Sequence, residues 1–152
     1  MTGTNKNQKF HNDFLEFTNK AYKEENLLPN RYVFVLTNKC NLRCSFCFQN
    51  KQTINTNMTF DDWVNLLNEI PKNSRVTLTG GEPFLFPNFL DLFKRVATKV
   101  QCNIISNGLL LTKELIDEIL TYENFKVLSI SIDDIGNKAR EVTAKQWNKL
   151  EE

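Results

Sequence analysis

Four short segments rich in β-branched and aromatic residues alternate with segments of helical periodicity, and this alternation is the strongest constraint on the fold. Strands separated by helices pair in parallel, because each crossover helix returns the chain to the same end of the sheet. The sequence therefore predicts an α/β fold with a parallel sheet of alternating βα units. The predicted strands cover residues 31–37, 75–79, 101–106 and 126–132.

Capping residues and turn signals place the predicted helices between these strands. Thr59 is followed three residues later by Asp62, a pattern typical of a helix N-cap with an acidic first turn. Pro87 is expected at a first helical position of the next helix, and Thr112 is expected to begin a third. Each connection between strands is thus predicted to contain a helix.

The chain divides into a short N-terminal part and a main part. Residues 1–29 are predicted to form a polar tail and an amphipathic helix from Phe10 to about Glu25, because apolar side chains recur there at helical spacing. Residues 30–152 are predicted to form the core domain. The last stretch of this domain, from about Gly136, has few apolar residues and is expected to be a solvated helix.

Composition restricts the partners of the chain. The 152 residues include 19 basic and 18 acidic side chains, a net charge of +1, so no strong field favours nucleic acid or an anionic membrane surface. No apolar run has the length of a signal-peptide core or of a membrane span. We therefore expect a cytoplasmic protein without nucleic-acid or membrane partners, in which clustered cysteines serve metal or redox chemistry.

Three cysteines lie together in the run CNLRCSFC, directly after the first predicted strand. The thiolates of Cys40, Cys44 and Cys47 can hold a 4Fe-4S cluster and leave one iron without a protein ligand, where a substrate or cofactor can bind. A structural zinc site is the alternative, and it needs a fourth ligand, for which Cys102 and His11 are the candidates. We expect instead that Cys102 is a buried, apolar thiol and that His11 is solvated.

Polar motifs follow each predicted strand. In a parallel sheet, ligands bind at the carboxyl ends of the strands, where the connecting loops meet, so we expect these motifs to share one rim. Simpler explanations stay open: GGEP and SNG also suit ordinary turns, and an aspartate after the fourth strand also suits a helix cap. In chain order the motifs are the cysteine loop, Gly80–Pro83, Ser106–Gly108, and Ser129, Ser131 and Asp133.

The motif CxxxCxxC after a strand, followed by GGEP after the next strand and later by SNG, resembles the radical S-adenosylmethionine (SAM) superfamily over about residues 30–134. The resemblance implies an enzyme built on an incomplete, partial TIM-type barrel, with about four of the roughly six βα units of that family. It also implies that the three cysteines hold a 4Fe-4S cluster and that SAM chelates the open iron. Reductive cleavage of SAM then yields a 5'-deoxyadenosyl radical, which abstracts hydrogen from the substrate.

The same resemblance assigns roles to individual residues. Glu82 is expected to face the ammonium group of SAM, and Phe46 is expected near the adenine. Ser106 and Asn107 are expected to reach the ribose or the carboxylate. The full set expected to bind SAM comprises Phe46, Gly80, Gly81, Glu82, Pro83, Ser106, Asn107, Ser131 and Asp133.

Partners also follow from the resemblance. An electron donor such as flavodoxin or ferredoxin is expected, together with a peptide, protein or small-molecule substrate, and a nucleotide is a further option. Beyond about Gly136 the sequence departs from the family pattern, which suggests a truncated core whose open barrel edge favours self-association. The alternative hypothesis is a catalytically incompetent, truncated cluster-binding domain that acts by associating with another chain.

Overall fold

The computed structural model describes residues 29–51 and 58–132, together with residues 12, 13, 15, 16, 18–20, 23 and 148. Within the predicted N-terminal helix, the described residues 12, 13, 15, 16 and 18–20 are helical. Phe10, His11, Asp133 and most of the helix predicted after Gly136 lie outside the described residues. Among the residues that are described, every helix is too short or too polar to reach across a bilayer.

Four parallel strands form one sheet in the described residues, and their order in the sheet follows the chain. They are β1 (Arg31–Val35), β2 (Arg75–Thr79), β3 (Gln101–Ser106) and β4 (Phe125–Ile130). The carboxyl ends of β1 and β2 are level, since Val35 pairs with Thr79. Between β3 and β4 the register shifts at Cys102 and Asn103. The predicted α/β fold with parallel strands is confirmed.

Helices fill the connections between the strands, as the sequence predicts. They are α1 (Phe60–Glu69), α2 (Phe89–Lys99) and α3 (Lys113–Leu120), and short 3-10 turns occur at Phe48–Lys51 and Pro83–Leu85. Thr59 and Thr112 are N-caps, because each side chain accepts a hydrogen bond from the backbone N–H three residues later. At α1 the Asp62 carboxylate also accepts from the Thr59 N–H at 2.8 Å, which completes a capping box.

The start predicted for the second helix is wrong. Pro87 does not occupy a first helical position, because α2 begins at Phe89. Asn88 stands between them in a left-handed conformation with φ 60° and ψ 32°. Asparagine tolerates this conformation better than most residues. Pro87 therefore lies in the turn that precedes α2 and not in the helix itself.

The buried core lies on one face of the sheet, beneath α1 and α2. Alternate residues of the strands, such as Val76 and Leu78 of β2, are fully buried in one cluster with Trp63 of α1 and Phe93 of α2. The intervening residues point to the opposite face, where large apolar side chains are exposed. Those side chains are Val33, Val35, Ile105 and Val127.

Cys102 belongs to this buried cluster and is fully excluded from solvent. Burial raises the pKa of its thiol far above the ordinary value, because the low-dielectric core disfavours the thiolate. A thiol held in its neutral form is neither a good nucleophile nor a good metal ligand. The prediction that Cys102 acts as a small apolar side chain is confirmed.

Replacing Phe93 by alanine should lower the free energy of unfolding by about 3–5 kcal/mol, because a fully buried aromatic side chain leaves a cavity. Its ring lies 5.3 Å from Tyr122 and 5.6 Å from Phe125, both in edge-on geometry. Urea unfolding measures the change. Leu120→Ala is the control, because that side chain is 64% exposed and its loss should change stability by less than about 0.5 kcal/mol.

Candidate functional site

The loop after β2 lies directly against the start of the cysteine loop. The backbone N–H of Gly81 donates to the carbonyl oxygen of Thr37 at 2.7 Å, and that of Glu82 donates to the carbonyl oxygen of Lys39 at 2.8 Å. The N–H of Leu36 donates to the Thr79 carbonyl oxygen at 2.8 Å. These hydrogen bonds hold the GGE motif against the residues that lead from β1 to the first cysteine.

Two glycines make this approach sterically feasible. A Cβ atom on Gly80 would lie 2.5 Å from the carbonyl oxygen of Thr37, and a Cβ atom on Gly81 would lie 2.4 Å from that of Lys39. The neighbouring atoms belong to the backbone, so they cannot rotate away. Gly80 also has φ +153°, which L side chains rarely adopt. At both glycines, the backbone that lies close is that of the start of the cysteine loop.

The side chain of Glu82 connects the loop after β2 with the loop after β3. It is fully buried, and its Oε1 accepts a hydrogen bond from Ser106 Oγ at 2.8 Å, while its Oε2 accepts from the backbone N–H of Asn107 at 2.9 Å. The N–H of Phe84 donates to Oε1 at 3.4 Å. Burial raises the pKa of Glu82, and these three hydrogen bonds oppose the rise by stabilising the carboxylate.

Asn107 connects the loop after β3 with the cysteine loop. Its Nδ2 donates to Asn41 Oδ1 at 2.7 Å and lies 3.9 Å from Cys40 Sγ. Its Oδ1 accepts a hydrogen bond from the N–H of Leu109 at 3.0 Å, which fixes the orientation of the amide. The backbone N–H of Leu42 also donates to Cys40 Sγ, at 3.4 Å. Two N–H groups therefore face the sulfur of Cys40.

A cavity of about 220 Å³ opens at the carboxyl ends of the strands, bounded by the loops just described. Most of the residues predicted for the site line it, whereas Glu82 and Pro83 are fully buried and are not among its lining residues. Asp133 lies outside the described residues, so its role stays a prediction. The predicted residues that line the cavity are Cys40, Cys44, Phe46, Cys47, Gly80, Gly81, Ser106, Asn107 and Ser131.

The donor chemistry of this cavity fits an iron-sulfur cluster. All three cysteines that line it are free thiols; Cys44 is buried, Cys47 partly buried and Cys40 exposed. Within the described residues, no three His, Cys, Asp or Glu side chains are grouped tightly enough to hold a single metal ion. Three cysteines that line one cavity, with N–H groups facing the sulfur of Cys40, fit the ligation and tuning of a cluster.

Some residues of the site were missed by sequence reasoning. Asn41 had no assigned role, although the run CNL placed it beside the first cysteine, and its side chain accepts the hydrogen bond from Asn107. Phe48, Gln49 and Ile105 also line the cavity. Ile105 carried a usable signal, because it lies on the opposite face of β3 from the buried Ile104. The approach of Asn41 to Asn107 had no such signal, because it joins residues 66 positions apart.

Comparison with known proteins identifies the family. Residues 34–151, most of the chain, match the family described as the Radical SAM superfamily. The chain belongs to this superfamily. Radical SAM proteins bind a 4Fe-4S cluster and SAM, so the two predicted cofactors are confirmed for the family of this chain.

Two curated relatives show the range of the superfamily. The chain is 26% identical over 119 residues to the antilisterial bacteriocin subtilosin biosynthesis protein AlbA of Bacillus subtilis, covering 75% of this chain and 26% of AlbA. It is 38% identical over 103 residues to an S-adenosylmethionine-dependent nucleotide dehydratase of a Thermoplasmatales archaeon, covering 63% of this chain and 36% of that protein. The chain spans less than half the length of the curated relatives that it matches first.

Solved structures of Streptococcus suis SuiB share the fold. SuiB bound to S-adenosylmethionine matches with a TM-score of 0.64 and 21% identity, over 80% of this chain and 29% of SuiB. SuiB bound to the precursor peptide SuiA matches with a TM-score of 0.63 and 18% identity, over 92% of this chain and 32% of SuiB. The open sheet of four parallel strands alternating with helices therefore corresponds to the partial barrel of radical SAM proteins.

Gly81→Ala should separate the GGE motif from the cysteine loop, because the new Cβ would overlap the backbone of Lys39. We expect a loss of about 1–3 kcal/mol in the free energy of unfolding and faster hydrogen exchange at the Glu82 amide. Gly108→Ala is the control, because it strains a backbone with φ +80° in another loop. Equal exchange at the Glu82 amide in both variants would contradict the assignment.

Stability should depend on pH through Glu82. Its folded-state pKa is raised above the ordinary 4.5, so between these values the folded protein binds more protons than the unfolded chain, and stability falls as pH rises. Glu82→Gln removes this titration. The difference in unfolding free energy, wild type minus variant, should therefore decrease as pH rises above 4.5 and level off beyond the raised pKa. Urea unfolding at several pH values measures it, and a difference independent of pH would refute the prediction.

Proposed function

We propose that this chain forms the cluster- and SAM-binding part of a radical SAM enzyme, with residues 30–152 as its core domain. In this proposal Cys40, Cys44 and Cys47 ligate the 4Fe-4S cluster. The observation that carries the proposal is the single cavity on which these three thiols meet the GG segment after β2 and the SNG segment after β3. The chemistry of the donor set and the family membership support the same conclusion.

Held by Cys40, Cys44 and Cys47, the cluster would supply the electron for the reductive cleavage of SAM. The residues of the chain bind and orient SAM. Gly80 and Gly81 offer backbone without side chains at the cavity wall, and Ser131 offers polar groups beside them. Phe46 is 56% exposed at the cavity, which suits contact with the flat face of adenine.

Glu82, Ser106 and Asn107 complete the proposed SAM site from the inner side of the cavity. The Ser106 hydroxyl donates to Glu82 and accepts from the N–H of Gly108 at 2.9 Å, so it holds the loop after β3 in shape. The Glu82 carboxylate can accept about four hydrogen bonds and accepts three within the chain, so its Oε2, which has one donor, keeps an acceptor site for the ammonium group of SAM.

We propose a peptide, a protein or a small molecule as substrate, and flavodoxin or ferredoxin as electron donor. The relatives support this range. AlbA is named for the biosynthesis of a bacteriocin, SuiB is known with its precursor peptide SuiA, and the Thermoplasmatales protein is named as a nucleotide dehydratase. Of the exposed apolar side chains on the uncovered face of the sheet, Ile105 also lines the cavity.

A second function is favoured by that uncovered sheet face: a cluster-binding domain that acts by associating with another chain. Val33 is 62% exposed on β1, and within the described residues β1 pairs only with β2 and β4 only with β3. A strand edge and apolar side chains open to solvent favour self-association or a partner chain. This hypothesis needs cluster binding but no turnover.

Anaerobic reconstitution with iron and sulfide tests both functions. We expect the wild type to load about four irons per chain and, with dithionite and SAM, to form 5'-deoxyadenosine measured by chromatography. Cys44→Ala should lose the cluster because it removes a ligand. Cys102→Ala is the matched control and should keep it, since this thiol is buried in the core away from the cavity.

The outcomes separate the two functions. A cluster-loaded, soluble wild type that forms no 5'-deoxyadenosine defeats the proposed turnover, and if the same sample is oligomeric by size-exclusion chromatography, the association hypothesis gains support. A Cys44→Ala variant that still loads about four irons defeats the ligand assignment.

A further inference from the structure

The two asparagines near Cys40 form a directed pair. Asn107 presents an NH2 group, which has two hydrogens to donate. One is used at 2.7 Å on Asn41 Oδ1, and the other faces Cys40 Sγ at 3.9 Å. Because Leu109 N–H holds the oxygen of the same amide at 3.0 Å, the amide cannot flip without losing this bond. The donor side of Asn107 is therefore held toward the sulfur.

Asn107 is held in this place from its backbone as well as from its side chain. The backbone N–H of Asn107 donates to the buried carboxylate of Glu82 at 2.9 Å, and Asn107 is only 7% exposed. Cys40 lies at the exposed side of the cavity and belongs to a different loop. The side-chain amide of Asn107, which is buried and held at two points, thus faces Cys40, the most exposed of the three cysteines.

Hydrogen bonds to ligating sulfurs change the electronics of a cluster. An N–H donor stabilises negative charge on the sulfur, and the one-electron-reduced cluster carries more of that charge than the oxidised one. A donor of this kind therefore raises the reduction potential. The backbone N–H of Leu42 supplies one such donor at 3.4 Å, and it cannot be removed by substituting a side chain. The amide of Asn107 is the donor that a side chain supplies.

We propose that Asn107 is a positioning residue for Cys40, and that its amide, oriented by Asn41, raises the reduction potential of the cluster ligated by that cysteine. The inference rests on the proposed function, because it requires Cys40 to be a cluster ligand. The redox step is the transfer of one electron from a low-potential donor to the oxidised cluster, with no bond made or broken in the protein.

Asn107→Leu tests the inference, since leucine has a similar size and no donor. After reconstitution and iron analysis, an anaerobic potentiometric titration followed by electron paramagnetic resonance gives the midpoint potential. We expect about a tenfold lower ratio of reduced to oxidised cluster at a fixed potential, which corresponds to about 59 mV for a one-electron couple. Asn41→Leu should cause a smaller shift than Asn107→Leu, because it removes the group that orients the amide and also an oxygen, Asn41 Oδ1, that lies 3.9 Å from Cys40 Sγ and opposes the effect of the donor.

Asn38→Leu is the matched control. Asn38 lines the same cavity, and within the described residues no hydrogen bond joins it to a cysteine sulfur. In the Asn38→Leu variant, the ratio of reduced to oxidised cluster should stay within about twofold of that in the wild type, because no donor to sulfur is lost. An Asn107→Leu protein that is loaded with iron and has the potential of the Asn38 variant would overturn the inference.

A second pair of variants covers the case in which Asn107→Leu fails to fold. Asn107→Asp keeps the side-chain shape and the acceptor for Leu109 but loses both N–H donors, whereas Asn41→Asp adds the same charge and keeps them. The potential of Asn107→Asp should lie below that of Asn41→Asp, and equal potentials would overturn the inference. If the two Asn107 variants lost their iron while the other variants kept it, the inference would also be overturned, because Asn107 would then act only in folding. A wild type that loads no cluster would instead defeat the proposed function.

Discussion

The buried carboxylate of Glu82 is the interaction on which the arrangement of this site depends. Its backbone N–H is bonded to the cysteine loop at Lys39, while its side chain accepts from Ser106 and Asn107 of the loop after β3. One residue thus joins three loops that come from three different strands. A buried carboxylate is costly unless it is satisfied by donors, and here its oxygens have three. Because hydrogen bonds to Glu82 hold these loops together, the positions of the loops relative to one another are fixed.

This arrangement follows from the topology of the sheet. Parallel strands in the order of the chain bring each following loop to the same rim, beside the loop of its neighbour. Because Gly80 and Gly81 have no side chains, the loop after β2 can lie in direct backbone contact with the loop after β1. The hydrogen-bonded series from Glu82 to Asn107 to Asn41 ends at Cys40. Steric fit, burial and hydrogen bonding together therefore fix the position of the Cys40 thiol.

Much of the fold could be predicted from the sequence because its signals are local. The strands at 75–79 and 101–106 match the prediction residue for residue. The first ends two residues earlier than predicted, and the last begins one residue earlier and ends two residues earlier. The N-caps at Thr59 and Thr112 depend only on side chains three residues away, so they too were predictable. The start of α2 was not, because a left-handed Asn88 precedes it and nothing local required that conformation.

For the site, motif order predicted which residues would share the rim but not which way their side chains face. Glu82 is directed inward to the loop after β3, and Asn107 is directed toward Asn41. Both orientations result from contacts between residues 25 and 66 positions apart in the chain. Such contacts exist only once the loops are docked, so propensity and periodicity carry no signal for them.

Hydrogen bonds beyond the ends of β1 and β2 make the length of residues 36–39 decisive for the distance between the sheet and the first cysteine. The N–H of Leu36 and the carbonyl oxygens of Thr37 and Lys39 each bond to the segment from Thr79 to Glu82. Each residue added to or removed from it would move Cys40 along the strand direction by about 3.3 Å and turn the following side chains to the opposite side. The segment should therefore tolerate exchange of exposed side chains such as Lys39 far better than any change in its number of residues.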